Sequence, residues 1–191
     1  MEYDTLSIML DCSRNSVANK EFLKNFIDTI SSMGYNELQL YIEDIYEVEG
    51  EPYFGYLRGR YSKEEIKEVD KYAKEKGVEL VPAVQLLGHL STIFEWRKYN
   101  IIRDRDDCLC PDLDETYVFL ENLIKSLREM FSTNKINIGM DETESLGKGQ
   151  HLHKFGYEDP KKIYLRHLNK VAELLKKYDF MKHCKEDFPL F

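Results

Sequence analysis

The feature that most restricts the fold of this chain is a repeated alternation of short apolar segments with longer segments of helical periodicity. The predicted strands are residues 5–12, 37–43, 79–85 and 135–139. The predicted helices are residues 20–33, 62–76, 115–131 and 159–178. Ser62 with Glu65 has the spacing of a capping box, and Pro160 suits the first turn of the last helix. A fifth strand at residues 181–186 is weaker, because Lys182, His183 and Lys185 interrupt it.

Strands separated by helices pair in parallel and are joined by right-handed crossovers, as in an open doubly wound sheet or a (β/α)₈ barrel. The chain has no G-x-G-x-x-G after its first strand and no P-loop motif. Polar groups instead follow four successive strands: Asp11 to Asn15, Glu43-Asp44, Gln85 to His89, and Asp141-Glu142. Barrel active sites are built in this way. We therefore predict an α/β fold, a partial TIM (β/α)₈ barrel of about four to five βα units.

Composition favours one globular domain and excludes several classes of partner. The 191 residues are 42% hydrophobic and 32% charged, which predicts a single domain over residues 1–191. A net charge of -8 argues against nucleic acid and anionic lipid as partners, and no apolar run could span a bilayer. The start of the chain is acidic rather than signal-like, and Cys108-x-Cys110 is a poor spacing for a disulfide. We expect a reduced, cytoplasmic protein.

The Asp141-Glu142 pair is the strongest candidate for chemistry, since an apolar strand delivers two adjacent carboxylates at its end. Two carboxylates in unlike environments can hold different protonation states, as glycosidic cleavage requires. Such a pair also occurs at solvated surfaces and helix starts, so the spacing alone leaves both interpretations open. Four further residues after the strands could bind substrate or make ordinary surface contacts: Arg14, Glu43, Asp44 and His89.

Aromatic residues are concentrated in the second strand and the loop after it, namely Tyr41, Tyr46, Tyr53, Phe54, Tyr56 and Tyr61. Their faces suit sugar stacking, although packing within the loop is the favoured explanation for most of them. Two sets of residues could be imagined as metal sites. The first is His151 and His153 with Glu142 and Glu144, and the second is Cys108 and Cys110 with His89. Neither has the spacing of a recognised site, so we expect no metal and no cofactor.

At these positions the sequence resembles glycoside hydrolase family 20, the β-N-acetylhexosaminidases. The resemblance rests on five ordered motifs, at residues 9–15, 40–44, 52–61, 80–89 and 138–142. It implies a retaining mechanism in which the substrate's own 2-acetamido oxygen attacks the anomeric carbon. Glu142 would then be the general acid and base, and Asp141 would orient the acetamido group. Arg14 would bind sugar hydroxyls, and His89 would support the site.

The chain departs from the family pattern at its C-terminus, where the family continues through strands five to eight and adds a Tyr and several Trp residues. Here the single Trp is Trp96, and 191 residues are fewer than the roughly 250 of a closed barrel. We expect a C-terminally truncated domain whose open edges pair in a homodimer. The predicted function is removal of terminal β-linked GlcNAc or GalNAc. The alternative is a non-catalytic barrel remnant with weak carbohydrate binding; a barrel isomerase or aldolase would need a well-placed metal or Schiff-base lysine.

Overall fold

The structure is a computed structural model that describes residues 4–14 and 16–180. The strands are β1 (Ser7–Asp11), β2 (Glu37–Tyr41), β3 (Glu79–Ala83), β4 (Arg103–Arg105) and β5 (Cys108–Leu109). The α-helices are α1 (Lys20–Ser32), α2 (Lys63–Glu75), α3 (Asp114–Met130), α4 (Gln150–Phe155) and α5 (Pro160–Lys177). The sequence therefore predicted β1 to β3, α1 to α3 and α5 within a few residues at each end.

The central sheet has the strand order β1-β2-β3, and both pairs of strands are parallel. Ser7 lies opposite Glu37, and Glu37 lies opposite Glu79, so the three strands begin in register. The strands are one or two residues shorter than predicted at their C-terminal ends. The polar residues of the candidate site therefore lie in the loops that follow the C-terminal ends of the three strands.

The predicted fourth strand is a short extended segment with hydrogen bonds along β3 rather than a full strand. The Asn137 N–H donates to Pro82 O at 3.0 Å, and the Val84 N–H donates to Asn137 O at 2.8 Å. Asn137 forms an isolated parallel bridge with Ala83. The segment ends early because Gly139 (φ 62°) and Met140 (φ 76°) turn the chain through left-handed backbone conformations. The candidate fifth strand lies outside the described residues.

Helices α1, α2 and α5 begin at side-chain caps that the sequence supplies. Ser62 and Glu65 form both hydrogen bonds of the capping box before α2, and Asp159 caps α5 ahead of Pro160. The apolar faces of α1, α2 and α3 pack with one face of the sheet in a common core. The core there includes the fully buried Leu23, Ile27, Leu38, Leu40, Ile66, Leu120 and Leu123.

The other face of the sheet carries most of its polar side chains, because side chains alternate between the two faces of each strand. Lys135 Nζ lies 2.8 Å from a carboxylate oxygen of Glu37 and 2.8 Å from one of Glu79. Asn137 Nδ2 donates to Gln39 Oε1 at 3.2 Å. This hydrogen-bonded face leads along the strands towards the loops that carry the candidate site.

The connection from β3 to α3 is more ordered than the sequence pattern indicated. It contains two 3₁₀ turns, Ile93–Glu95 and Arg97–Ile102, followed by the antiparallel pair β4-β5. The sequence did not predict the short helix α4. Tyr46, Phe54 and Tyr61 are buried, which confirms loop packing for these three aromatic residues. No helix in the described part of the chain is long and apolar enough to cross a membrane.

Candidate active site

Asp141 lies at the centre of a hydrogen-bonded network beyond the C-terminal ends of the strands. Its Oδ1 accepts a hydrogen bond from Gln85 Nε2 at 3.0 Å, and its Oδ2 is 3.6 Å from His89 Nε2. The donation from Gln85, aided by the nearby His89, lowers the pKa of Asp141 below its usual value. Asp141 is therefore ionised at neutral pH, as a group that orients an N–H donor or stabilises positive charge must be.

Gln85 holds this carboxylate in place because all of its own polar atoms are engaged. It is 2% exposed, its Oε1 accepts from the Met140 N–H at 3.0 Å, and its Nε2 also donates to Tyr41 Oη at 3.0 Å. A Cβ at Gly139 would lie 2.3 Å from Gln85 Oε1, so this close approach requires glycine. The amide thus links the end of β3 to the turn that delivers both carboxylates.

Glu142 stands beside Asp141 with its side chain 71% exposed and its Oε2 3.5 Å from His89 Nε2. His89 therefore contacts both carboxylates of the pair. His89 (φ 54°), Met140 (φ 76°) and Glu142 (φ 50°) all have left-handed backbone conformations, which non-glycine residues rarely adopt. Such strain is concentrated at functional sites, where surrounding contacts hold it.

Arg14 and Glu43 form the other side of the network. Arg14 Nη1 lies 3.1 Å from Asp11 Oδ2 and 3.5 Å from Glu43 Oε1, and its guanidinium stacks over the Tyr41 ring at 4.9 Å. Tyr41 Oη donates to Glu43 Oε1 at 2.9 Å. The Arg14 side chain is 57% exposed, so part of its donor fork faces solvent where a sugar hydroxyl could bind.

The structure brings together five of the six residues proposed from the sequence: Arg14, Glu43, His89, Asp141 and Glu142. Asp44 follows Glu43 directly but has other partners: it is 2% exposed and accepts hydrogen bonds from Arg58 Nη2 at 3.2 Å and Thr92 Oγ1 at 2.9 Å. Asp44 therefore links the loop after β2 to the loop after β3. The sequence prediction omitted Tyr41 and Gln85 from the site, although both stand at strand ends among the polar groups.

A second cluster of side chains that could bind a metal is instead paired with the cationic side chains of Arg166 and Lys170. Asp112, His151 and Glu158 are the described residues whose ligand atoms come within 4.8 Å of one another. Arg166 forms hydrogen bonds to both carboxylates, and Lys170 Nζ is 3.4 Å from Asp112 Oδ1. The Arg166 guanidinium lowers the pKa of Asp112 well below its usual range. This cluster is an ion-pair network between the loop before α3 and α5.

Several known proteins are similar to this chain in sequence. The sequence profile "Glycosyl hydrolase family 20, catalytic domain" matches residues 3–188. A Beta-hexosaminidase of Vibrio furnissii is 33% identical over 96 residues, which cover 44% of this chain and 16% of the relative. Hexosaminidase D of Homo sapiens is 25% identical over 162 residues, covering 81% of this chain and 33% of the relative.

Solved structures show the same fold. A beta-N-acetylhexosaminidase superposes with a TM-score of 0.82 at 19% identity, covering 93% of this chain and 45% of that chain. The GH20 beta-N-acetylhexosaminidase of Streptomyces coelicolor superposes with a TM-score of 0.76 at 22% identity, covering 93% and 38%. The chain thus spans less than half the length of these relatives.

Proposed function

The chain belongs to glycosyl hydrolase family 20, and we propose from this premise that it removes terminal β-linked GlcNAc or GalNAc from glycans. The observation that carries the proposal is the Asp141-Glu142 pair. His89 Nε2 lies within 3.6 Å of both carboxylates, and the hydrogen bond from Gln85 lowers the pKa of Asp141. Two neighbouring carboxyl groups in unlike environments are what an acid and a charge-stabilising group require.

In the proposed reaction the substrate supplies its own nucleophile. The 2-acetamido oxygen bonds to the anomeric carbon while Glu142 gives a proton to the departing glycosidic oxygen, and the C1–O bond breaks. Asp141 accepts a hydrogen bond from the acetamido N–H and stabilises the positive charge of the resulting oxazolinium ring. Glu142 then takes a proton from water, which attacks the anomeric carbon and reopens the ring with retained configuration.

The opposite end of the site is proposed to select the terminal sugar. Arg14 keeps donors exposed to solvent while Glu43 and Tyr41 hold its guanidinium in place. A planar donor fork can bind two adjacent hydroxyl groups of one sugar ring. Arg14 and Glu43 would therefore bind the hydroxyls on the side of the sugar away from the bond that is cleaved.

A chromogenic assay tests this function directly. We expect the chain to release dye from aryl β-N-acetylglucosaminide or β-N-acetylgalactosaminide, and Glu142→Gln to lower kcat/KM by at least about a hundredfold, as loss of a general acid does. Glu144→Gln is the matched control, since it makes the same change in charge at an exposed position two residues away. Absence of turnover in a folded, monodisperse sample would favour the alternative, a non-catalytic remnant with weak carbohydrate binding.

We also propose that the sheet is part of a (β/α)₈ barrel and that two copies pair to cover its edges. Within the described residues β1 and residues 136–138 stand at the two edges of the sheet, and Leu6 and Met9 are 42% and 49% exposed beside the first. Light scattering after size exclusion should then give twice the mass of the chain. A stable monomer at low micromolar concentration would refute the pairing.

A reducing, cytoplasmic location is proposed from the state of the thiols. Cys12, Cys108 and Cys110 are free and buried, and burial raises the pKa of Cys108 and of Cys110 to about 12. Such thiols are structural rather than reactive. Imaging of the chain with a fluorescent tag in its native cells tests the location, and an extracellular signal would refute it.

A further inference from the structure

The segment that follows Glu142 is hydrogen-bonded to the antiparallel hairpin β4-β5, which belongs to the connection between β3 and α3. The central contact is made by Asp104 of β4. Its Oδ2 accepts the Gly147 N–H at 2.6 Å, and its Oδ1 accepts the His151 N–H at 2.8 Å. Asp104 is 6% exposed. A buried carboxylate is costly unless donors satisfy it, so this side chain and the two backbone N–H groups hold each other in place.

Further contacts join the same segment to β4. At Gly149 the two backbones approach so closely that a Cβ there would lie 2.0 Å from Asp104 O, and only glycine allows this approach. The next residue, Gln150, donates from Nε2 to Ile101 O at 3.0 Å and to Arg103 O at 2.8 Å. The segment is therefore held against the hairpin by backbone packing and by side-chain hydrogen bonds.

The hairpin is in turn hydrogen-bonded to the loop that carries His89. The Leu109 N–H donates to Leu87 O at 2.9 Å, and the Leu90 N–H donates to Asp107 O at 3.1 Å. The His89 N–H itself donates to Asp107 Oδ2 at 3.2 Å. Leu109 is fully buried, so the hairpin is fixed to the core. The hairpin therefore fixes this loop relative to the segment that follows the carboxylate pair.

Glu142 lies between two points at which the backbone is held. On one side Gln85 Oε1 accepts the Met140 N–H at 3.0 Å, and on the other Asp104 accepts the Gly147 N–H. The left-handed backbone of Glu142 (φ 50°) persists because such contacts hold it. Its side chain is 71% exposed, so its position depends on the backbone on both sides. We propose that Asp104 is a positioning residue, which holds Glu142 where it can protonate the departing oxygen. This inference rests on the proposed function, in which Glu142 is the general acid.

A displaced general acid can be recognised by its dependence on the leaving group. A phenyl β-N-acetylglucosaminide needs the proton from Glu142, whereas a dinitrophenyl β-N-acetylglucosaminide releases a stable phenolate without it. We expect Asp104→Asn to lower kcat/KM by about ten- to a hundredfold for the phenyl glycoside and by about threefold or less for the dinitrophenyl glycoside. Glu142→Gln should show the same pattern. A loss of folded protein would lower both values equally.

Asp104→Asn is informative because asparagine can accept only one of the two N–H groups, since its other polar atom is itself a donor. Asp106→Asn is the matched control: it removes the same charge from the same hairpin, where the Asp106 side chain is 67% exposed, and should leave both kcat/KM values unchanged. Gln150→Ala is a second variant, which removes two hydrogen bonds to the hairpin without disturbing a buried charge. It should give the same selectivity with a smaller loss. Circular dichroism confirms that each variant is folded.

Amide hydrogen exchange gives a second readout, which needs no turnover. The hydrogen-bonded amides of Met140 and Leu146 flank Glu142 and do not bond to Asp104. In Asp104→Asn they should exchange about tenfold faster, while the amides of α3 stay unchanged. Unchanged exchange at both amides would overturn the inference, and so would an equal loss, or no loss, of kcat/KM on the two glycosides. The proposed function fails separately, if the unsubstituted chain hydrolyses neither glycoside, and hydrogen exchange then still decides whether Asp104 holds the turn.

Discussion

The substitution Gln85→Glu is the sharpest probe of the site, because it exchanges an amide for a carboxylate of nearly the same shape at the centre of the network. The new group can still accept the hydrogen bond from the Met140 N–H. Towards Asp141, however, it replaces a donor at 3.0 Å with a second negative charge. We expect the pKa of Asp141 to rise, whereas Gln85 now lowers it.

The size of the effect follows from the distance of 3.0 Å between Gln85 Nε2 and Asp141 Oδ1. Two unit charges about 3 Å apart repel by about 1.4 kcal/mol in bulk water and by about 5.5 kcal/mol at an effective dielectric constant of about 20. These energies correspond to roughly 1 and 4 pKa units. The Asp141 side chain is 65% exposed, so solvent screening places the rise near the lower limit, at about 1–2 units.

The assay is the pH dependence of kcat/KM for an aryl N-acetylglucosaminide. Asp141 must be ionised to stabilise positive charge, so the acidic limb of the profile should move to higher pH by about 1–2 units. Asp141 and Glu142 titrate as a pair, so the acidic limb reports the ionisation of the pair. Gln85→Met is the control, since it removes the donor without adding charge and should shift the limb less. An acidic limb that stays unmoved in both folded Gln85→Glu and folded Gln85→Met would refute the proposed contact.

Three further predictions concern the ionisable residues Asp44, Asp112 and His167, and are measured by urea unfolding. Asp44→Asn should lower the free energy of unfolding by about 1.5–3 kcal/mol, because it removes the charge that pairs with Arg58, whose side chain is 23% exposed. Arg166 lowers the pKa of Asp112, so the stability that this pair contributes at neutral pH is lost as the pH falls below about 4, and Asp112→Asn should flatten that decline. Burial lowers the pKa of His167 from 6.5 to about 4. The free energy of unfolding should therefore fall as the pH is lowered from 6.5 to about 4, and His167→Asn should remove this pH dependence.

Local sequence signals predicted the regular elements well. The period of the apolar residues located β1 to β3, and the Ser62 and Asp159 caps located the starts of α2 and α5. The segment at residues 135–139 was harder, because its apolar pattern resembles a full strand. Its extent is set by the left-handed turn at Gly139 and Met140, which depends on a contact with Gln85.

The sequence predicted most residues of the candidate site but not the hydrogen bonds and ion pairs that join them. The sequence placed Glu43 and Asp44 side by side after a strand, and nothing in the pattern separated them. The structure does so because adjacent side chains point in different directions: Glu43 contacts Arg14, and Asp44 turns inward to Arg58. The role of Gln85 depends on partners 44 and 56 residues away in the chain, which no local pattern encodes.

Gln85 joins the backbone geometry of the site to its electrostatics. The left-handed conformations of Met140 and Glu142 each cost of order 1–3 kcal/mol, and they persist because neighbouring contacts hold the turn. The hydrogen bond from the Met140 N–H to Gln85 is such a contact, and the same amide lowers the pKa of Asp141. Gln85→Met should therefore lower stability and shift the acidic limb together, since it removes both contacts. Glu142→Gln should lower activity with little change in stability, because the Glu142 side chain is largely exposed.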